Sequence, residues 1–324
     1  MSNSGQKINY SLRPSKNIER KMMRDMFQKV GYFSRLSDYS YIGFGAKYFE
    51  DFSLFHKTLH IDTLISIEGD NNNRQRYDFN KPFKCIDIKF GMSTDVLPTL
   101  NYDGKVIVWL DYDSRFNNKM LSDLNILVEK VKSGSIISLS YNSETYNDQD
   151  LGLLDGHQLT YKDKFTELVG GDNIPSSFDE RGWHNHGNFC KFIRSAIITT
   201  LQQSIKERND GSEVNDSIDF KQIMYFRYAD GQKMTTLSFV IYKSLEKDKI
   251  NACRFEDLYF HRNSDVAYDI KVPNFTLKEI RHLNENMPLD NDTSLNKKVF
   301  SAKDVEIFKD NYKYFPSYTE IESF

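Results

Sequence analysis

Apolar residues along the chain fall into two alternating rhythms, short continuous runs and longer stretches with helical spacing. The first clear stretch is helical: Ile18, Met22, Met26 and Val30 recur at i, i+4, i+8 and i+12 and predict one packing face. The run 39–44 predicts a first strand, and Phe52, Phe55 and Leu59 mark the apolar side of a helix over 50–60. A second strand is predicted over 63–68, ending on Glu68; the polar stretch 70–78 reads as a helix or as a loop in its place. Alternation over 85–90 predicts a third strand stopped at Gly91, and Pro98 limits any helix in the connector 96–100. The run 105–110 is almost wholly apolar and predicts a fourth strand that ends on Asp111, Tyr112 and Asp113. Leu121, Leu124, Leu127, Val128 and Val131 mark the next helix, Gly134 stops it, and 135–141 predicts a fifth strand. Continuous apolar strands alternating with helices imply a parallel sheet covered on both faces.

The rhythm breaks over 142–188, which is rich in Asp, Gly, Asn and His and reads as an insertion or lid. Phe189, Phe192, Ile193, Ala196, Ile197, Thr200 and Leu201 then form a helical stripe. Two β-like runs, 222–228 and 234–242, flank Asp230-Gly231, a hairpin turn signal. From 248 onward the chain reads as a small helical appendage, with Leu277, Ile280 and Leu283 on one helix and Val305, Ile307 and Phe308 on another. Its aromatics, Phe255, Tyr259, Phe260, Tyr312, Tyr314, Phe315 and Tyr318, predict packing against the main body. Residues 1–10 are polar and expected to be loose.

Composition narrows the class. With 39% hydrophobic residues the chain is too apolar for general disorder, and 19 Tyr with 24 Phe predict an aromatic-rich core. A formal charge of -3 gives no global attraction to nucleic acid or to an anionic membrane. Cys85, Cys190 and Cys253 are scattered, which argues against a disulfide framework or a cysteine zinc site. No run spans a bilayer and no leader pattern is present, so the expectation is a soluble protein of a reducing cytoplasm, without a membrane partner. Arg13, Lys16, Arg20, Lys21 and Arg24 crowd one helix; they form either a solvated basic face or a contact for phosphate, nucleic acid or an acidic protein partner.

Candidate chemistry gathers at the predicted strand ends. Residues 39–45, Tyr-Ser-Tyr-Ile-Gly-Phe-Gly, close the first strand on two glycines and lead straight into a helix. Such a turn leaves backbone N–H groups uncovered for an anionic or polar cofactor group, although a plain tight turn has the same residues. Glu68 ends the second strand, as a ligand or as the cap of a helix start. Asp111 and Asp113 lie one residue apart; a divalent cation with oxygen ligands, an acid that orients a nucleophile or acts as base, and a loop cap all fit them. His184, in Trp183-His184-Asn185-His186, reads as a general base on a lid or as a hydrogen-bonded loop histidine. No third ligand joins these histidines, so no metal site is assigned. No serine or cysteine nucleophile motif, Walker loop, zinc signature or nucleic-acid module occurs, and G-x-G-x-x-G fails at Tyr48.

Gly43-Phe44-Gly45, Glu68, Gly91-Met92-Ser93 and Asp111 stand in order at successive strand ends, and a helix and hairpin close the series. This order resembles the class I S-adenosylmethionine-dependent methyltransferase fold over about 38–243. The resemblance implies an α/β, Rossmann-like open sheet, mostly parallel with a C-terminal antiparallel hairpin, plus the helical appendage. It divides the chain into a basic helical segment (1–37), a methyltransferase-like domain (38–247) with the insertion 142–188, and the appendage (248–324). It also implies S-adenosylmethionine as cofactor, with Gly43 and Gly45 as the glycine motif and Glu68 taking the ribose hydroxyls. Met92 and Ser93 would stand against the adenine and Asp111 would face the methyl group and the substrate. Two positions depart from the family: Tyr41 stands where an acid is usual and Lys47 where a third glycine is expected, both at the methionine end. The expected reaction is methyl transfer, to oxygen in preference to nitrogen because no Asn-Pro-Pro-Tyr signature occurs; the catalytic candidates are Asp111, Asp113 and His184. The alternative is a catalytically inactive methyltransferase-like module that binds a protein or nucleotide partner through the basic helix.

Overall fold

Residues 13–154, 157–213, 216–289 and 295–316 are described by a computed structural model; the expected loose start, 1–10, and Tyr318 lie outside them. After helix α1 (Pro14–Gln28) come β1 (Ser40–Gly43), α2 (Glu50–Leu59), β2 (Thr63–Glu68), α3 (Arg74–Asn80) and β3 (Ile86–Phe90). Next are α4 (Ser93–Val96), β4 (Val106–Arg115), α5 (Asn118–Lys130) and β5 (Ser135–Asn142). A small hairpin, β6 (Leu153–Leu154) with β7 (His157–Gln158), and α6 (Tyr161–Val169) precede the long helix α7 (His186–Asn209). The hairpin β8 (Ile218–Ala229) and β9 (Lys233–Lys243) follows, then α8 (Lys247–Ala252), β10 (Tyr268–Asp269), α9 (Leu277–Glu285) and α10 (Ala302–Asn311).

The strands make one eight-stranded sheet in the order β10-β8-β9-β5-β4-β1-β2-β3, and β6 pairs with β7 apart from it. β1 to β5 run parallel, β9 is antiparallel to both of its neighbours, and β10 adds to the edge parallel to β8. The expected sheet, with its antiparallel closing hairpin, is therefore present. β5 is buried at every position because helices cover both of its faces, and that is why its sequence lacks alternation. The stretch after β2 takes the helical alternative, with a short 3-10 turn, Asn71–Asn73, and then α3. Two local expectations change. β10, a strand inside the helical tail, carries no pattern of its own because only two residues pair. β4 does not stop at Asp111 but continues to Arg115, with an irregular register against β5 between those residues.

Two apolar layers flank the sheet. One holds α5, α6 and α7 residues against Val108, Leu110, Ile137 and Leu139. The other joins α1 (Ile18, Met22, Met23, Met26, Phe27), α2 (Phe52, Phe55, Leu59) and the sheet to tail residues Phe255, Phe260, Leu283, Phe300, Phe308, Tyr314 and Phe315. Among the described residues no helix is long and apolar enough to cross a membrane.

Candidate functional site

The carboxyl ends of β1 and β2 meet the middle of β4 at a tight glycine turn. Gly43 lies between Ser66 of β2 and Trp109 of β4 in register. A Cβ at Gly43 would stand 2.6 Å from the Tyr41 hydroxyl oxygen and 3.1 Å from the Trp109 carbonyl oxygen. The phenol therefore crosses the strand end where a side chain would otherwise be, and its hydroxyl donates to Oδ2 of Asp51 in the first turn of α2. At Gly45 a Cβ would meet the Phe49 ring at 2.5 Å and Ser66 Oγ at 2.7 Å, so glycine is needed for closure of the turn.

The turn's N–H groups are not left uncovered. Gly45 N–H donates to Ser66 Oγ at 3.0 Å, and the Ser66 hydroxyl donates to Glu68 Oε1 at 3.2 Å. The Ala46 backbone N–H also bonds to Glu68. Glu68 is only 7% exposed, and burial pushes its carboxyl up to about 7, against the pull of the Ser66 hydroxyl and the Ala46 N–H. The carboxylates of Asp51 and Asp70 push it in the same direction as burial.

α1 closes the other side. Its N-terminus is held by Asp230 of the β8–β9 turn, whose carboxylate accepts from the Ser15 and Lys16 N–H groups at 3.3 and 2.9 Å. Lys16 is 1% exposed: its ammonium contacts Asp111 Oδ1 at 2.7 Å, Glu19 Oε2 at 2.8 Å and the Tyr228 hydroxyl at 3.0 Å, 4.4 Å from the Trp109 ring centre. The buried Glu19 also accepts from Thr236, which bonds Ser140, and Ser140 accepts from the Trp109 indole N–H at 2.8 Å. Arg20, buried as well, sets its charge beside Asp51. Lys21 donates to the Phe315 carbonyl and Arg24 pairs with Asp25. Of the basic residues read as a solvated face or a partner contact, Lys16 and Arg20 are buried, and Lys16, Lys21 and Arg24 meet partners inside the molecule. Lysine and arginine stems pack along apolar surface when an acid waits at the far end.

The remaining candidates are spread. Asp111 keeps 22% of its side chain exposed beside Lys16, whereas Asp113 two residues on is exposed. Met92 stands just before α4, its sulfur 3.6 Å from where a Cβ of Gly69 would lie. The Ser93 hydroxyl donates to Oδ2 of Asp123 on α5, as does the Tyr112 hydroxyl, and Asp123 is 0% exposed with its Oδ1 left without a hydrogen-bond partner. Burial raises the Asp123 carboxyl, and those two hydroxyls draw it back. His184 is exposed, bonded to the Tyr161 hydroxyl at 2.8 Å within the 143–185 segment. Among the described residues no three His, Cys, Asp or Glu side chains are placed to hold a metal ion.

So Gly43, Gly45, Glu68 and Asp111 come together at one edge, joined by Lys16, Glu19 and Asp51, which carry no strand-end signal in the sequence. Two surface hollows of about 490 and 640 Å³ lie elsewhere, along 162–192, and contain none of these buried acids.

Residues 8–323 match a family model described as "Putative O-methyltransferase". No curated protein matches the chain. Among solved structures, a putative transferase from Pyrococcus horikoshii is 12% identical, with 69% of this chain and 64% of that one covered and a TM-score of 0.35. LepI in complex with S-adenosylmethionine is 10% identical, with 67% and 46% covered and a TM-score of 0.34. The O-methyltransferase TomG from Streptomyces achromogenes, also in complex with S-adenosylmethionine, is 11% identical, with 68% and 79% covered and a TM-score of 0.35. The chain thus spans less than two thirds of the length of the first two.

Proposed function

The chain belongs to the family of putative O-methyltransferases, and from that premise we propose that it moves a methyl group from S-adenosylmethionine to an oxygen of its substrate. The observation that carries the reading is Glu68, a buried carboxyl at the end of β2 that the Gly45–Ser66 contact holds in place. A carboxylate there is an acceptor for both hydroxyls of a ribose, and a strand end at the sheet's carboxyl edge is where such ligands bind. Asp123 adds to the fit: next to Ser93, its buried Oδ1 is an acceptor without a donor, and an adenine amino group supplies one. The cofactor, when bound, supplies an activated methyl group.

The chain's part is to position the acceptor and manage its proton. Asp111 presents its exposed portion to the acceptor hydroxyl, orienting it for in-line approach, and Lys16 fixes that carboxylate from behind. Three free thiols fit a reducing cytoplasm as the place of action.

Calorimetry with S-adenosylmethionine and S-adenosylhomocysteine tests the reading. Binding of both is expected, weakened in Glu68→Ala by about 1–3 kcal/mol. No heat with either ligand at millimolar concentration removes the cofactor and leaves only the fold.

A further inference from the structure

We propose that the open edge of β3 pairs antiparallel with the β3 of a second copy of this chain, about a two-fold axis at Ile88.

β3 ends the eight-stranded sheet, and among the described residues no strand lies beyond it. One bond fixes the direction of its backbone groups: the Gly91 N–H donates to the Glu68 carbonyl of β2 at 3.0 Å. Alternation along the strand then turns the backbone groups of Lys89 and Asp87 toward β2 as well. Those of Ile88 and Phe90 face outward, with the carbonyl of Ile86; the Ile86 N–H donates to the Phe83 carbonyl at 3.3 Å. An outward row of this kind is a template for another strand.

The side chains decide which strand fits. Ile86 and Ile88 join the apolar layer of α1 and α2, while Asp87 and Lys89 project from the opposite face, exposed, and share an ion pair at 2.8 Å. Residues 86–90, Ile-Asp-Ile-Lys-Phe, read the same in reverse except that acid and base change places. Antiparallel pairing about Ile88 sets Ile88 opposite itself and Ile86 opposite Phe90, both through the outward backbone groups. Asp87 of each copy then falls opposite Lys89 of the other, at the non-hydrogen-bonded positions where side chains stand closest.

The same two charges exclude the neighbouring registers. A slip of two residues sets aspartate against aspartate or lysine against lysine, and a slip of one mismatches the outward backbone groups. A lysine on an edge strand discourages addition of a foreign apolar strand. With an aspartate two residues away, it also selects the chain's own copy. α3 flanks this edge, with Tyr77 and Arg74 against the Phe90 ring, and its Phe79 is 88% exposed, apolar surface beside the open strand. Because the pairing is antiparallel, the carboxyl edges that carry Glu68 open in opposite directions in the two copies.

Sedimentation of the whole protein over a concentration series tests the pairing. The wild type should reach twice the mass of one chain. Asp87→Lys and Lys89→Asp, each alone, should weaken self-association by at least about tenfold, because each sets like charges opposite one another. An equal mixture of these two variants should recover the dimer, since each strand then meets its opposite charge. Ile88→Pro removes an outward N–H and no bond to β2, so it should abolish the dimer and leave the circular dichroism unchanged. If that variant does not fold, the charge variants decide. A wild type that stays monomeric up to its solubility limit overturns the proposal. So does a dimer that both charge variants leave intact, or a loss in them that mixing does not reverse.

Discussion

At the end of β2, the Glu68 carboxyl is lifted from an ordinary 4.5 to about 7 by burial, and this ties both stability and binding to pH. The folded chain holds this proton across a window where the unfolded chain has lost it, so stability falls as pH rises from about 4.5 to about 7. A difference of that size corresponds to about 3 kcal/mol. Glu68→Gln, which cannot ionise, should therefore match the wild type near pH 4.5 and exceed it by up to about 3 kcal/mol at pH 8 in urea titrations. Ligand affinity should run the other way. Ribose hydroxyls donate to the ionised form, so S-adenosylhomocysteine should bind the wild type more weakly as pH falls below about 7, with a flatter profile in Glu68→Gln. Parallel profiles for the two proteins would mean that Glu68 does not meet the ligand.

At the scale of elements, α1 is the piece whose role changes most between pattern and structure. The stripe Ile18, Met22, Met26 and Val30 is its apolar face, but Lys16, Glu19, Arg20, Met23 and Phe27 are buried too, so the contact is far wider than one stripe. Met23 and Phe27 continue the helical row that starts at Lys16 and Arg20, and that alignment was the available signal that the basic residues face inward. Removing Lys16 leaves the half-buried Asp111 and the buried Glu19 side by side without their shared ammonium. Lys16→Met should lower stability by about 3–5 kcal/mol, and adding Glu19→Gln should restore part of that loss. Denaturant midpoints check both. A Lys16→Met protein within 1 kcal/mol of the wild type would show that the ion cluster contributes little to docking α1.

Across the whole molecule, one apolar layer runs from Ile18 in α1 to Phe315 beyond α10, with the sheet between them. We infer that the helical tail and the sheet unfold together in spite of their separate sequence character. Scanning calorimetry should show one transition, and Phe308→Ala should lower its midpoint by removing about 3–5 kcal/mol of buried contact without splitting it. Two resolved transitions, with Phe308→Ala moving only one, would make the tail a unit of its own.

The amino-acid sequence by itself determined the order of the main strands and helices, and with it the places of Gly43 and Glu68 at the ends of β1 and β2 and of Asp111 on β4. Apolar runs and turn residues are local signals, and a parallel sheet turns their order into positions along one edge. It did not determine which charges would face one another. Lys16 and Asp111 are 95 residues apart, and whether a helix-borne base is solvated or buried depends on an acid that only the packed sheet brings to it. Asp51 and Asp123 were equally unmarked, each contacted by a hydroxyl from another element, Tyr41 of β1 and Ser93 of α4. Only the tertiary structure decided these pairings, because desolvating a charge is tolerable solely where folding supplies its partner.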